Sequence, residues 1–254
     1  SYGHNTLIPG KYPEVSAKDK NGEPSLIGYC VSNPKTYEIP FVIYDEIIDR
    51  HLIPNGIPSF DIGLDEIGDY IAGNAGDIFK LRSPWCRCPA CTAKGRGKMF
   101  IDHAIKLLCH LRDRGMTNIY MYHDMLIEKE WNSIGDNTSA MLDALRENDL
   151  LDVVCVDWWS YSDHKEYLMF QTTRPDLGIR RTVKPWNGYY HWSVLTNPIN
   201  NSYLLGKIAY EEACEGMRSY SSWDESYDRN HTAQADFAWN FAGAGSVDDV
   251  RARY

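Results

Sequence analysis

From Phe60 to Leu64 apolar side chains fall on every second residue (Phe60, Ile62, Leu64), the period of a strand with one buried face. The run ends on two adjacent carboxylates, Asp65 and Glu66, residue types that strands disfavour. The same reading predicts strands over Ile119–Tyr122, over Val153–Val156 running on into Asp157-Trp158-Trp159, over Ile179–Val183 and over Met217–Ser221. Helical spacing predicts helices over residues 37–52 despite Pro40, over Met99–Arg114 with Gly115 as its stop, and over Thr138–Glu147, Ser202–Cys214 and Asp228–Trp239. Strands alternating with helices call for parallel strands joined by crossovers, which is the α/β class.

In such folds the chemistry gathers at the C-terminal ends of the strands. Five successive strands here finish on ionisable or aromatic groups: Asp65-Glu66, Tyr122-His123-Asp124, Trp158-Trp159, Trp186 and Trp223-Asp224-Glu225. A bare acid pair is ordinarily a solvated turn, but five such endings along one edge predict a shared cleft. The architecture expected is a (β/α)8 TIM-type barrel forming a single domain over residues 1–254. Five strands are too few to close a barrel, and an open sheet would leave bare edges. The chain is therefore expected to run from roughly the end of strand 3 to helix 8, with the first strands in a missing N-terminal segment or supplied by another copy.

Composition narrows the class. With 254 residues, 43% hydrophobic, there is enough chain for a sizeable core. A formal net charge of -9 argues against nucleic-acid binding, which needs clustered Lys and Arg. No run of 18 apolar residues is present, so no membrane span is expected. The chain opens on SYGHNTLIPG without Met or a signal peptide, which leaves the compartment open, a secreted or periplasmic one being favoured. The 8 Trp and 17 Tyr suit a sugar site, although rings are as often plain core.

With the strand ends in this order, the chain resembles the catalytic barrel of family 20 glycoside hydrolases, the β-N-acetylhexosaminidases, from its first residues to its C-terminus. Asp61-Ile62-Gly63-Leu64-Asp65-Glu66 is similar to the family's H-x-G-x-D-E, with Asp61 in place of His. Gly3-His4 ahead of Tyr12-Pro13-Glu14 is similar to its P-G-H and Y-P-E segments, without the Pro. Trp223-Asp224-Glu225 is similar to its W-x-E, and Tyr122-His123-Asp124-Met125 to its W-G-D-M, with Tyr and His replacing Trp and Gly. The resemblance implies a carbohydrate substrate and a retaining, substrate-assisted hydrolysis in which the sugar's 2-acetamido oxygen attacks. Asp65 would orient the acetamido group and Glu66 would be the general acid/base, its pKa raised by like charge and desolvation. His4 would tune Glu66, Trp223 would floor the pocket and Glu225 would accept from sugar hydroxyls. Trp158, Trp159, Trp186 and Trp192 are candidate walls, and Tyr122 and Asp124 candidate lining residues. His123 is lining or structural. One of Tyr161, Tyr189 and Tyr190 would donate to the acetamido oxygen. Asp61 adds a third acid, expected to turn away into a structural salt bridge.

Seven cysteines complete the picture. Cys109, Cys155 and Cys214 fall in apolar patterns and read as inert buried thiols. Cys86, Cys88 and Cys91 form C-x-C-x2-C, three soft ligands wanting a fourth. Cys30, in the loop after the preceding strand, is the expected fourth, with His103 as the alternative. A structural zinc competes here with one or two disulfides and with free thiols. No catalytic cofactor is expected. The functional expectation is a glycosidase releasing terminal β-linked N-acetylhexosamine. The alternatives are a barrel of the same type acting on another β-linked sugar such as a galactoside, or a non-catalytic sugar binder.

Overall fold

A computed structural model describes residues 5–67, 83–127, 134–186, 198–219 and 228–253. Its contacts separate into two compact units, residues 1–154 and 155–254. The first opens with a short helix α1 (Leu7–Lys11) and an antiparallel hairpin, β1 (Ser16–Lys18) and β2 (Pro24–Tyr29). The turn between them is closed by the Asp19 carboxylate, which accepts from the Asn21 and Glu23 N–H groups. This hairpin is invisible to a period-two search. Leu26 and Gly28 have positive φ and the register shifts between Ser16 and Lys18, so alternation is broken where β2 should show it.

Helix α2 (Glu38–Ile47) continues through one π turn (Ile48–Leu52) and a 3-10 turn (Ile53–Asn55). Pro40 lies in its first turn, where a missing N–H costs nothing because no carbonyl awaits it. Strand β3 (Ser59–Asp61) runs parallel to β4 (Asn118–Tyr122), with Ser59 beside Asn118 and Asp61 beside Tyr120. Between them lie α3 (Pro89–Lys94) and α4 (Arg96–Asp113). Helix α4 buries Met99, Phe100, His103, Leu107, Leu108 and Leu111, a stripe of i, i+3 and i+4 spacing. Gly115, at φ 89°, ends it as the sequence predicts. Helix α5 (Thr138–Glu147) has the predicted limits, and Ile119 N–H then donates to Val153 O as the chain returns beside β4.

The second unit holds β5 (Val154–Ser160) from its second residue on, and β6 (Arg180–Pro185), parallel from Cys155 beside Arg180 to Ser160 beside Pro185. Every residue of β5 is buried, as expected of a parallel strand covered on both faces. Helices α6 (Pro198–Glu211), α7 (Asp228–Ala244) and α8 (Val247–Arg253) close around a core of Ile199, Ala233, Phe237 and Val250. The described part of the strand expected at 217–221 is a single parallel bridge from Met217 to Val183. Parallel strand pairs interleaved with helices make the protein α/β. Among the described residues no helix is long and apolar enough to cross a membrane.

Candidate functional site

The C-x-C-x2-C segment folds onto the hairpin. Arg87 N–H donates to Lys18 O at 2.7 Å, so the residue between Cys86 and Cys88 pairs with the edge of β1. Lys18 N–H in turn donates to Cys86 Sγ at 3.3 Å. Cys88 is the N-cap of α3, with Pro89 at the first helical position and its sulfur accepting from Cys91 N–H at 3.5 Å. Cys30 arrives from the end of β2, where Gly28 lets the chain pass under Pro84. A Cβ at Gly28 would stand 2.4 Å from the Pro84 carbonyl oxygen, and its φ of 64° is itself one that L residues avoid.

The four sulfurs of Cys30, Cys86, Cys88 and Cys91 lie within 4.8 Å of one another. Cys30 Sγ stands 3.8 Å from Cys88 Sγ and 4.0 Å from Cys91 Sγ. A tetrahedron with metal–sulfur bonds of about 2.3 Å has edges of about 3.8 Å, whereas a disulfide needs about 2.05 Å. None of the four is in a disulfide. Crowding divides their protons: hydrogen bonds from Cys30 and Cys86, then the Ser32 hydroxyl, hold Cys91 well below an ordinary thiol. The same contacts with Cys86 and Cys91 push Cys30 up. Four sulfur donors this close are a ligand set suited to a soft cation. His103, the alternative ligand, lies elsewhere, its Nδ1 3.2 Å from the Tyr37 hydroxyl. Burial, with the Lys106 ammonium adding to it, lowers its pKa to about 3. The expected route for Cys30, through neighbouring barrel loops, is replaced by the hairpin, which delivers Cys30 and the Lys18 edge together.

The acid pair stands where the pattern puts it, just past the C-terminal end of β3. Pairing with β4 persists beyond the strand: Ile62 N–H donates to Tyr120 O, and Tyr122 N–H to Gly63 O. The chain then turns sharply. Gly63, Leu64 and Glu66 all have positive φ, at 66°, 69° and 51°. Such values cost energy at Leu and Glu and persist only where the surroundings impose them. Two buried anchors impose them here. Leu64 is fully buried, and Asp124, also fully buried at the end of β4, accepts Glu66 N–H at 2.7 Å. Ile67 N–H points at Met125 Sδ, 3.2 Å away. Asp65 and Glu66 are half-buried, as is Tyr122. Asp61 is exposed and accepts Gly63 N–H at 2.9 Å, which starts the turn. His123 is fully buried. Thus Asp124 grips the backbone under Glu66, a role that its reading as a lining residue did not include.

In the second unit the indoles divide by strand parity. Asp157, Trp159 and Tyr161 alternate with Trp158, and the register sets Asp157 beside Thr182 and Trp159 beside Lys184. Trp159 meets Tyr161 edge-on at 4.4 Å, and Tyr161 meets Trp186 at 5.0 Å. Trp158 packs instead on Phe170, at 5.2 Å. Trp159 and Trp186 are therefore joined through Tyr161, while Trp158 belongs to other packing. Asn201 of α6 fixes these strand ends, accepting Trp186 N–H and donating to the Ser160 and Ser162 carbonyls. Among the described residues, Asp157 accepts from Thr182 Oγ1 at 2.6 Å and Arg218 Nη1 at 2.5 Å, with Lys184 Nζ 3.7 Å away. Strand periodicity alone does not reveal this charge layer. Its signal was an Asp inside an otherwise apolar strand, a position that burial allows only with partners.

His4, Trp223 and Glu225 lie outside the described residues, as do Trp192, Tyr189 and Tyr190. Models of known protein families give no match to the chain, and neither do curated proteins.

Proposed function

We propose that the chain is a glycoside hydrolase that releases terminal β-linked N-acetylhexosamine with retention, on a (β/α)8-type barrel of which it spans roughly the end of strand 3 to helix 8. The observation that carries this reading is the strained turn at the end of β3, where buried Asp124 holds Glu66 N–H at 2.7 Å. A surface turn of two solvated acids needs neither a buried carboxylate clamp nor two non-glycine residues of positive φ. A catalytic acid pair does, because its side chains must hold one direction through the reaction.

In this reading Glu66 gives its proton to the departing glycosidic oxygen while the substrate's own acetamido oxygen closes on the anomeric carbon. Asp65 holds the acetamido N–H and offsets the positive charge of the cyclised intermediate. Glu66 then takes a proton from the incoming water, which opens the ring with retention. Adjacent carboxylates suffice because they serve different atoms of one sugar. The test is a panel of aryl β-glycosides offered to the wild type and to Glu66→Gln. Turnover of the N-acetylglucosaminide or N-acetylgalactosaminide is expected, with kcat about 100- to 10,000-fold lower in the variant. Cleavage of unacetylated galactosides would move the assignment to another β-linked sugar, and no turnover at all would leave a sugar binder.

The four cysteines support a second, separate assignment: a closed tetrathiolate zinc site. All four ligand positions would be taken by sulfur, leaving none for water, so the ion would be structural and would take no part in hydrolysis. Its work would be to hold the hairpin and the segment from Cys86 to Cys91 as one piece.

A further inference from the structure

We infer that the concave surface beside the cysteine cluster is an oxyanion subsite for an acidic saccharide. A pocket of about 470 Å³ opens there, lined by Lys18, Lys20, Arg87, Ser25, Ser83 and Trp85 together with the hairpin turn. That volume lies within the range of small-molecule sites, about 300–1,000 Å³. The chain as a whole carries a net charge of -9, yet three cations converge on this one hollow. Among the described residues Lys18 Nζ donates only to the Pro13 carbonyl, and neither Lys20 nor Arg87 forms an ion pair. The one acid of the lining, Asp19, already accepts two backbone N–H groups of the turn through Oδ1. Cations without carboxylate partners in a hollow walled by a buried indole focus a positive field that an anionic group would fill. Arg87 adds the planar fork that matches a carboxylate or a sulfate.

The hollow is also preorganised. Arg87 and Lys18 are joined backbone to backbone at 2.7 Å, and Lys18 N–H is held by Cys86 Sγ. The main-chain positions that carry the two cations are therefore fixed relative to each other, which lowers the ordering cost of binding. A polynucleotide is the poorer occupant: it needs a stripe of many cations, and this is a pocket with three on an acidic chain. The saccharide identity rests on the glycosidase reading; the oxyanion identity does not.

Calorimetric titration of the whole chain tests it. The probes are a uronate-bearing disaccharide, the same disaccharide with its carboxylate reduced to hydroxymethyl, inorganic sulfate, and a single-stranded oligonucleotide. Binding of the uronate disaccharide at least tenfold tighter than its neutral counterpart is expected, with competition by sulfate. The Lys20→Ala/Arg87→Ala double variant should lose at least tenfold in that affinity while keeping its thiol chemistry and thermal midpoint. If the double variant does not fold, Lys20→Glu, at an exposed turn, must show the loss by itself. Equal affinity for acidic and neutral disaccharides, an undiminished variant, or sulfate binding without saccharide binding would each overturn the inference. Oligonucleotide binding tighter than the disaccharide would overturn it as well. Hydrolysis of neutral aryl glycosides, measured separately, reads the Asp65-Glu66 assignment, so failure of the subsite and failure of that assignment are told apart.

Discussion

The sulfur cluster and the acid-bearing turn at the end of β3 belong to the same unit, and they are built in opposite ways. None of the four cysteines has a positive φ; they sit at a hairpin end, an N-cap and a first helical turn, and their side chains converge. Distance alone marks them out, since four sulfurs within 4.8 Å of one another could hold a metal ion. The acids sit on strained backbone held from beneath by Asp124 and Leu64, with half-buried side chains. Their purpose depends on what they meet. Four converging sulfurs offer a ligand set by geometry alone, whereas a carboxylate pair acquires its chemistry only from a substrate.

The sharpest way to break that contrast is to remove a sulfur. Cys91→Ser, or exhaustive chelation, should release one zinc per chain and unfold the hairpin region, since structural zinc contributes roughly 10 kcal/mol or more to small sites. Metal analysis of the purified wild type with thermal unfolding of the variant checks it. A wild type free of zinc with an unchanged melting curve would make the cysteines ordinary core.

Asp124→Ala probes the other construction. It leaves Glu66 N–H without its acceptor and should cost about 1.5–3 kcal/mol in stability. Because it acts through the Glu66 backbone, kcat on the best aryl glycoside should fall more than KM changes, and Asp124→Asn, which keeps an acceptor, should recover part of the loss. Recovery of stability without recovery of kcat would show that Asp124 affects turnover other than through its hold on the Glu66 backbone.

Gly28→Ala sharpens the metal side. A methyl group 2.4 Å from the Pro84 oxygen, at a φ of 64°, must displace the segment that carries Cys86. A loss of roughly 1–3 kcal/mol is expected, together with weaker zinc retention in a chelator competition. Unaltered retention would show that the close passage of Gly28 under Pro84 is not what sets Cys30.

The smallest effect is a pH slope. His103 titrates near 3 in the fold against about 6.5 in an unfolded chain, so unfolding takes up a proton between those values. Its share of stability is complete above about pH 6.5 and is lost as the pH falls toward 3. Between pH 7 and 5.5 this amounts to about 1 kcal/mol, which His103→Gln should remove from the denaturation midpoints. An identical slope in the variant would assign the dependence to other groups.

Local rules made the long helices legible: a clean 3.6-residue stripe from Met99 to Leu111 and the Gly115 stop left little to choose. They also made three of the four sulfur ligands legible, because Cys86, Cys88 and Cys91 are neighbours in sequence. The placing of Asp65-Glu66 beyond β3 followed from alternation alone. Cys30 does join the other three, carried there by the hairpin. The hairpin that carries it was hidden because positive φ at Leu26 and Gly28 breaks the alternation that a sequence search relies on.

What only the tertiary structure decided is everything that depends on two distant segments meeting. The sequence could present Asp124 as one more polar residue at a strand end, but not as the acceptor for a backbone N–H 58 residues away. It could present Trp158 and Trp159 as equals, whereas strand parity joins one to Tyr161 and sends the other to Phe170. It could total the charge at -9, but not gather Lys18, Lys20 and Arg87 around one hollow. Periodicity and caps act over a few residues and so are written locally. Convergence of side chains depends on loop closure and packing over the whole unit, and no local pattern encodes it.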